Sequence, residues 1–197
     1  NTQGSLEAAS QYLTITELKP FLHLIDRLTG SGSPDLRGGR HASVFIGSSS
    51  EIGDIAKKFA QLLENDSTLK CDTWHVLGTT GQVFIDTLIS KIGRYDYAVL
   101  LLSPDDETTK RGQKVWEPRD NVVLELGMAL AFLGKHRTFG VLIVDSKRLS
   151  KGLAALPSDL QGVTMSVLHM NPQGRFDDSA IQKSVEDVLR AMKETMR

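Results

Sequence analysis

Apolar residues follow two alternating patterns along residues 41–197 of this chain. Short runs of β-branched and aliphatic residues predict five strands, at 42–47, 73–77, 97–102, 139–144 and 165–169. Apolar residues at helical intervals predict helices between them, at 52–63, 83–92, 121–133 and 181–192. Because parallel strands need crossover connections, this alternation predicts an α/β fold. The expected architecture is a flavodoxin-like, doubly wound, five-stranded parallel sheet with strand order 2-1-3-4-5.

A different pattern precedes this domain. Residues 30–40, GSGSPDLRGGR, are rich in Gly, Ser and Pro, which predicts a flexible linker. Upstream, Thr14 and Glu17 have the spacing of a capping box, and the apolar residues that follow predict one amphipathic helix at 15–28. We therefore expect a helical tail and linker at 1–40 and a single domain at 41–197. The helix needs a partner for its apolar face.

Charge and cysteine content exclude several classes of function. The 23 basic and 24 acidic side chains give a net charge of -1, which disfavours nucleic acid or an anionic membrane as partner. No uncharged stretch is long enough to cross a membrane. The single cysteine, Cys71, allows neither an intrachain disulfide nor a thiolate zinc site, which favours a cytoplasmic location. Because the chain opens at Asn1 without an apolar leader, we expect a piece of a longer or processed protein.

Small polar residues follow the first predicted strand, at the edge where doubly wound sheets bind ligands. Gly47, Ser48, Ser49 and Ser50 lead directly into a helix, whose free N–H groups suit a phosphate or a carboxylate. Ser48 and Glu51 also have capping-box spacing, which would satisfy the helix end without a ligand. The sequence contains neither GxGxxG after this strand nor a Walker-type phosphate loop. A standard dinucleotide or phosphate-loop site is therefore not supported.

Two further segments lie at the same predicted edge. Trp74, beside the glycine-bounded loop 77–82, would either stack on a planar ring or pack in the core. Residues 103–120 are predicted to form a long polar loop, and long loops in this position are often functional. Asp105 and Asp106 have no third carboxylate or histidine at ligand spacing nearby, so no metal site is predicted.

The helix predicted after this loop carries one ionisable residue, Glu125. Because the helix is apolar on nearly every face, this carboxyl should either emerge in a cleft or be buried with a raised pKa. Asn121 lies one turn earlier on the same face and Gly127 makes room nearby, so an Asn and a Glu would project together. The alternative is a structural glutamate bonded to a backbone N–H or to Arg119.

Several blocks of this domain resemble the TIR-like proteins of bacterial anti-phage signalling. The blocks are VFIGSSSE at 44–51, the strand with Trp74, DTLISKIGRYDYAVLLLSPDD at 86–106 and EPRDNVVLELGMALAFLGKHRTF at 117–139. The resemblance covers roughly residues 42–169 and implies the five-stranded TIR fold. Catalytic TIR domains cleave the nicotinamide N-glycosidic bond of NAD, and their essential glutamate corresponds to Glu125.

The resemblance implies an NAD glycohydrolase in defence signalling that is activated by oligomerisation. NAD is then a substrate, and no cofactor is expected. Supporting positions around the substrate are also implied, with the turn from Gly47 to Ser50 near the diphosphate and Trp74 bordering the nucleotide. Asp105, Arg119 and Asn121 would frame the pocket.

Expected partners are NAD, further copies of the chain through TIR–TIR contacts, and a fused or separate domain that senses a cyclic nucleotide or another signal. Two alternatives remain. One is a non-catalytic TIR scaffold in which Glu125 is structural. The other is an enzyme like the nucleoside deoxyribosyltransferases, which share the sheet topology and use a glutamate on a sugar.

Overall fold

The structure is a computed structural model. It describes residues 40–73, 88, 91–145, 147–148, 160 and 162–196. All of them belong to one of the chain's two units, residues 33–197. The predicted tail helix at 15–28, nearly all of the linker, the loop at 77–82 and most of the helix predicted at 83–92 lie outside the described residues.

Five parallel strands form the central sheet in the described part of the chain. They are Ala42–Ser48 (β1), Leu69–Thr73 (β2), Tyr97–Leu102 (β3), Thr138–Val144 (β6) and Thr164–His169 (β7). Their order across the sheet is β2-β1-β3-β6-β7, and every pairing between neighbours is parallel. If these five strands are numbered 1 to 5 along the chain, their spatial order in the sheet is 2-1-3-4-5. The predicted doubly wound topology is therefore confirmed.

Helices cover both faces of this sheet. Gly53–Leu63 (α1) and Asp178–Thr195 (α3) pack on one face, and Asp120–Leu133 (α2) packs on the other. None of the helices in the described ranges has the length and hydropathy needed to cross a membrane. The two helices on one face are amphipathic, whereas α2 is apolar around most of its circumference, as the sequence predicts.

Residues of β1 alternate between the two faces, as strand geometry requires. Val44 and Ile46 belong to the core beneath α1 and α3, whereas Phe45 belongs to the core beneath α2. By the same alternation Gly47 faces α2 and Ser48 faces α1. Neighbouring residues of the VFIGSSSE block therefore face opposite sides of the sheet.

The second strand begins earlier than predicted. The sequence predicts it at 73–77, whereas β2 is Leu69–Thr73, so only Thr73 is shared and residues 74–77 lie outside the described part. The physical reason is that β2 is the last strand of the described sheet on its side. Its exposed Lys70 and Asp72 break the apolar run by which buried strands are recognised.

The segment 103–120 contains a β-hairpin, so the prediction of one long loop is wrong. Asp106–Lys110 (β4) pairs antiparallel with Gln113–Glu117 (β5). The connecting Arg111 and Gly112 both have positive φ, 52° and 76°, as in the tight turns that suit hairpins. Because β4 has no aliphatic residue and Arg-Gly is not the usual turn pair, the hydrophobic pattern does not reveal this hairpin.

Candidate active site

Glu125 lies in the second turn of α2 and is 4% exposed. Its Oε2 atom is buried and has no hydrogen-bond partner among the described residues. Burial raises the pKa of this carboxyl to about 7, because the charged form is deprived of water. Of the two environments that the sequence allows for this carboxyl, the structure has the buried one. An unpartnered buried carboxyl is costly to the fold, which makes Glu125 the leading candidate for a functional group.

Gly47, at the carboxyl end of β1, provides the space for this carboxyl group. A Cβ atom at Gly47 would lie 2.5 Å from Oε2 of Glu125, closer than packed atoms approach. Gly127 does not make the room, contrary to the sequence prediction, since a Cβ there would meet no atom within 4 Å. The reason is helical geometry, which points residue 127 about 200° away from residue 125 around the axis.

Asn121 does not enter the buried site. It is exposed in the first turn of α2, whereas Glu125 is buried one turn later. The two side chains therefore differ in exposure, contrary to the prediction that they project together. Asp120 and Asn121 begin α2 and come before Val122, the first residue of this helix that belongs to the core. Asn121 therefore lies at the exposed start of α2, where a ligand could reach it.

Asp105 holds the turn that follows β1. Its Oδ2 accepts a hydrogen bond from Ser49 Oγ at 2.5 Å, and its Oδ1 accepts one from Ser103 Oγ at 2.9 Å. The side chain is 5% exposed. Asp105 thus ties the carboxyl ends of β1 and β3 together. Its carboxylate is already occupied by these hydroxyls, so it acts on the site by positioning the turn.

The capping box predicted for Ser48 and Glu51 is wrong. Ser49 is the N-cap of the short 3-10 helix Ser50–Ile52 and makes no side-chain capping bond. Ser48 Oγ is buried without a partner among the described residues. Glu51 instead accepts hydrogen bonds from exposed Ser50, at 3.1 Å, and from Arg119. Ile52, the N-cap residue of α1, makes no side-chain capping bond either.

Arg119 connects the turn after β1 to the hairpin. Its guanidinium forms an ion pair with Glu51, and its Nε lies 3.6 Å from Oδ1 of Asp106. The alternative in which Arg119 bonds to Glu125 is therefore not observed. Arg119 directly precedes α2, so its contacts fix the start of the helix that carries Glu125.

Arg148 and Trp116 form a contact that sequence reasoning missed. The guanidinium of Arg148 lies 4.8 Å from the ring centre of Trp116 in β5. Arg148 Nη1 also donates a hydrogen bond to Pro104 O at 2.8 Å, and Arg148 lies within ion-pair distance of Asp105 and Asp145. These contacts join segments far apart in the chain. The one available signal was a tryptophan in a polar segment.

In the part of the chain that the structure describes, a buried carboxyl and not a cluster of metal ligands marks this candidate site. The described residues contain no group of three or more His, Cys, Asp or Glu side chains placed to hold a metal ion. A groove of about 810 Å³ lies between β7 and α3, and the residues that line it do not include Glu125. Trp74 lies outside the described residues. The site is therefore defined by the buried carboxyl, Gly47 and the polar residues at the adjacent edge.

Residues 43–170 match the family model described as the TIR domain of CAP12/Pycsar effector proteins. CD-NTase-associated protein 12 of Sphingobacterium faecium is 32% identical over 145 residues, which are 74% of this chain and 41% of that protein. The Pycsar effector protein PaPycTIR of Pseudomonas aeruginosa is 32% identical over 142 residues, 72% of this chain and 44% of that protein. The chain thus spans about two fifths of the length of these relatives.

The solved structure of a flavodoxin-like domain from Synechococcus sp. superimposes on this chain with a TM-score of 0.44 and 13% sequence identity. The superposition covers 77% of this chain and 96% of that domain. The fold assignment depends on the strand order and the parallel pairings given above.

Proposed function

Because this chain belongs to the TIR-domain family of CAP12/Pycsar effector proteins, we propose that it is the catalytic part of an anti-phage effector that cleaves NAD in the cytoplasm. The observation that carries the proposal is the Glu125 carboxyl, which is buried beside the carboxyl end of β1 and whose Oε2 has no hydrogen-bond partner among the described residues. Ligands of doubly wound sheets bind at this edge. The family resemblance and the burial of the side chain point independently to the same residue.

The proposed reaction breaks the bond between ribose C1′ and the pyridine nitrogen of NAD. The positively charged ring takes up the bonding electron pair, and neutral nicotinamide leaves. C1′ then carries the charge of an oxocarbenium-like transition state, to which water adds and loses a proton, giving ADP-ribose. An ionised carboxylate opposes this developing positive charge, and it acts most strongly where water is excluded.

The raised pKa of Glu125 bears directly on this chemistry. Near neutral pH the carboxyl of the free protein is present in both protonated and ionised forms, because its pKa is about 7. Only the ionised form opposes the charge at C1′. The rate of cleavage at low NAD concentration should therefore rise as pH increases through about 7 and level off above it.

Supporting roles follow the positions of the surrounding groups. The exposed Ser50 and Asn121, with the half-exposed Arg119, lie where a dinucleotide above the carboxyl edge would contact them. In this proposal Asp105 acts indirectly, since its oxygens already bind serine hydroxyls. Further copies of the chain are proposed to complete the site. The part of the longer relatives outside the matched region is proposed to correspond to a signal-sensing domain.

The test is release of nicotinamide from NAD by the purified chain, followed by chromatography at high protein concentration. We expect the wild type and Glu194→Gln, an exposed glutamate on α3, to release nicotinamide, and Glu125→Gln to release none while remaining folded. Retention of most activity by folded Glu125→Gln would exclude the assignment.

A parallel incubation of the purified chain with a deoxynucleoside distinguishes the remaining alternatives. Release of free base indicates a deoxyribosyltransferase-like enzyme, and no product from either substrate indicates a scaffold.

A further inference from the structure

Two glycines lie in one row across the face of the sheet that packs against α2. Gly47 in β1 pairs with Leu100 in β3, and Leu100 pairs with Gly140 in β6. Neither glycine is among the residues with positive φ, so the backbone does not require glycine at either position. Because glycine weakens a strand interior, each is expected to serve a close approach by a neighbouring group.

Different groups fill the two spaces. At Gly140 the space is filled by a thioether, since a Cβ atom there would lie 2.1 Å from Sδ of Met165. At Gly47 the space is filled by a carboxyl oxygen, with Oε2 of Glu125 at 2.5 Å and Cδ1 of Leu100 at 2.4 Å from the Cβ position. The first arrangement is ordinary core packing. The second places a titratable group where an apolar one would be more stable.

Buried apolar side chains lie next to the Glu125 carboxyl on the side of the sheet that packs against α2. The core beneath α2 contains Phe45, Leu100 and Leu126, each at most 1% exposed, on the inner side. No charged group of the described elements packed against it, β1, β3 or α2 itself, is a cause of its altered pKa, which burial alone explains. A side chain at residue 47 would therefore displace the carboxyl away from β1 and from this apolar core, into less buried surroundings.

We propose that Gly47 is a positioning residue for the cleavage reaction, because the absence of its side chain fixes the Glu125 carboxyl against the sheet at the depth the reaction needs. The catalytic part of this inference rests on the proposed function. The close approach of Glu125 Oε2 to Gly47 can be tested without any substrate. Gly47 is thus assigned a role through Glu125 in place of the contact with a diphosphate that the family resemblance implies.

The first experiment titrates the Glu125 carboxyl carbon by NMR in the full chain labelled at glutamate. In Gly47→Ala the pKa should fall from about 7 towards 4.5 by roughly one pH unit or more, because the displaced carboxyl regains water. Gly140→Ala is the matched control, because it adds the same methyl group in the same row of the sheet, two strands away from Gly47. The Glu125 carboxyl of this variant should titrate as it does in the wild type. An unchanged pKa in folded Gly47→Ala, or an equal shift in Gly140→Ala, would overturn the proposal.

A second measurement covers the case in which Gly47→Ala folds poorly. Combining Gly47→Ala with Glu125→Ala removes the oxygen that the new Cβ would meet, so the loss of melting temperature caused by Gly47→Ala should be at least halved. Gly140→Ala should lower the melting temperature equally with or without Glu125. If Gly47→Ala is as damaging in the Glu125→Ala background, Leu100 alone causes the strain and the proposal fails.

If nicotinamide release is detected, Gly47→Ala should lower kcat at least about tenfold with a smaller change in KM, and should move the pH dependence to lower pH. A change in KM alone would argue against a positioning role. If no release is detected in the wild type, the proposed function fails while the titration and the melting experiments still decide the contact.

Discussion

Replacing Glu125 with glutamine should stabilise the folded protein at and above neutral pH, although it is expected to end the proposed reaction. In the folded state burial raises the pKa of this carboxyl from the ordinary value of 4.5 to about 7. Between these values the folded state binds more protons than the unfolded chain, so the stability of the wild type falls as pH rises. The neutral amide of glutamine does not suffer this loss.

The expected size follows from the two pKa values. A difference of about 2.5 pH units, at about 1.4 kcal/mol for each unit, corresponds to roughly 3 kcal/mol of unfolding free energy. The loss in the wild type begins near pH 4.5 and is complete a little above pH 7. Because a domain of this kind is stable by only about 5–15 kcal/mol, the effect is well within reach of measurement.

Urea unfolding monitored by circular dichroism, at several pH values from about 4.5 to 8.5, measures this difference. Wild type, Glu125→Gln and the exposed control Glu194→Gln are compared, and equal slopes of free energy against urea show that all three unfold in the same way. The advantage of Glu125→Gln over the wild type should grow as pH increases, and the control should follow the wild type. A difference that stays constant across the pH range would refute the reasoning, because burial would then not be penalising the charged carboxylate.

Three further outcomes follow from the structure. Gly127→Ala should raise the unfolding free energy by roughly 0.5–1 kcal/mol in the same urea assay, because residue 127 is exposed within a helix and has open space for a methyl group; a loss of stability would contradict this. Arg148→Ala should change global stability by no more than about 1 kcal/mol but speed amide hydrogen exchange in β4 and β5, whereas exchange there in Lys147→Ala should match the wild type. Nicotinamide release per molecule should rise with protein concentration, because a neighbouring chain is proposed to cover the site; constant activity in samples that light scattering shows to be monomeric would exclude a composite site.

The sheet was predictable because its signals are local and strong. β3 reads YAVLLL, is buried at every position and was placed correctly at both ends. The hairpin was not predictable, because β4 reads DETTK and is held by pairing with β5 rather than by burial of apolar side chains. The same distinction explains the position of β2, whose alternating LKCDT lies beside a single described strand.

Within the candidate site, the sequence identified the titratable group and several residues near it, but not the contacts among them. Glu125 stood out because the composition of one helix isolates it. The glycine that makes room for it lies in β1, far away in the sequence, so no helical spacing rule could find Gly47. Asp105 was expected at the substrate, whereas its bonds to two serine hydroxyls become visible only when the ends of β1 and β3 are brought together.

The alternation of β1 between the two faces of the sheet restricts the kinds of genetic change this domain can accept. Deleting one codon ahead of Gly47 would bring Ser48 into the position opposite Glu125, and inserting one would bring Ile46 there, whereas a substitution elsewhere in the strand leaves the facing order intact. Insertions and deletions in β1 should therefore persist only in pairs, or where a bulge absorbs the extra residue. If the proposed nicotinamide release is detected, single-codon deletions scanned along residues 42–46 should abolish it at every position, even where substitutions at the same positions are accepted.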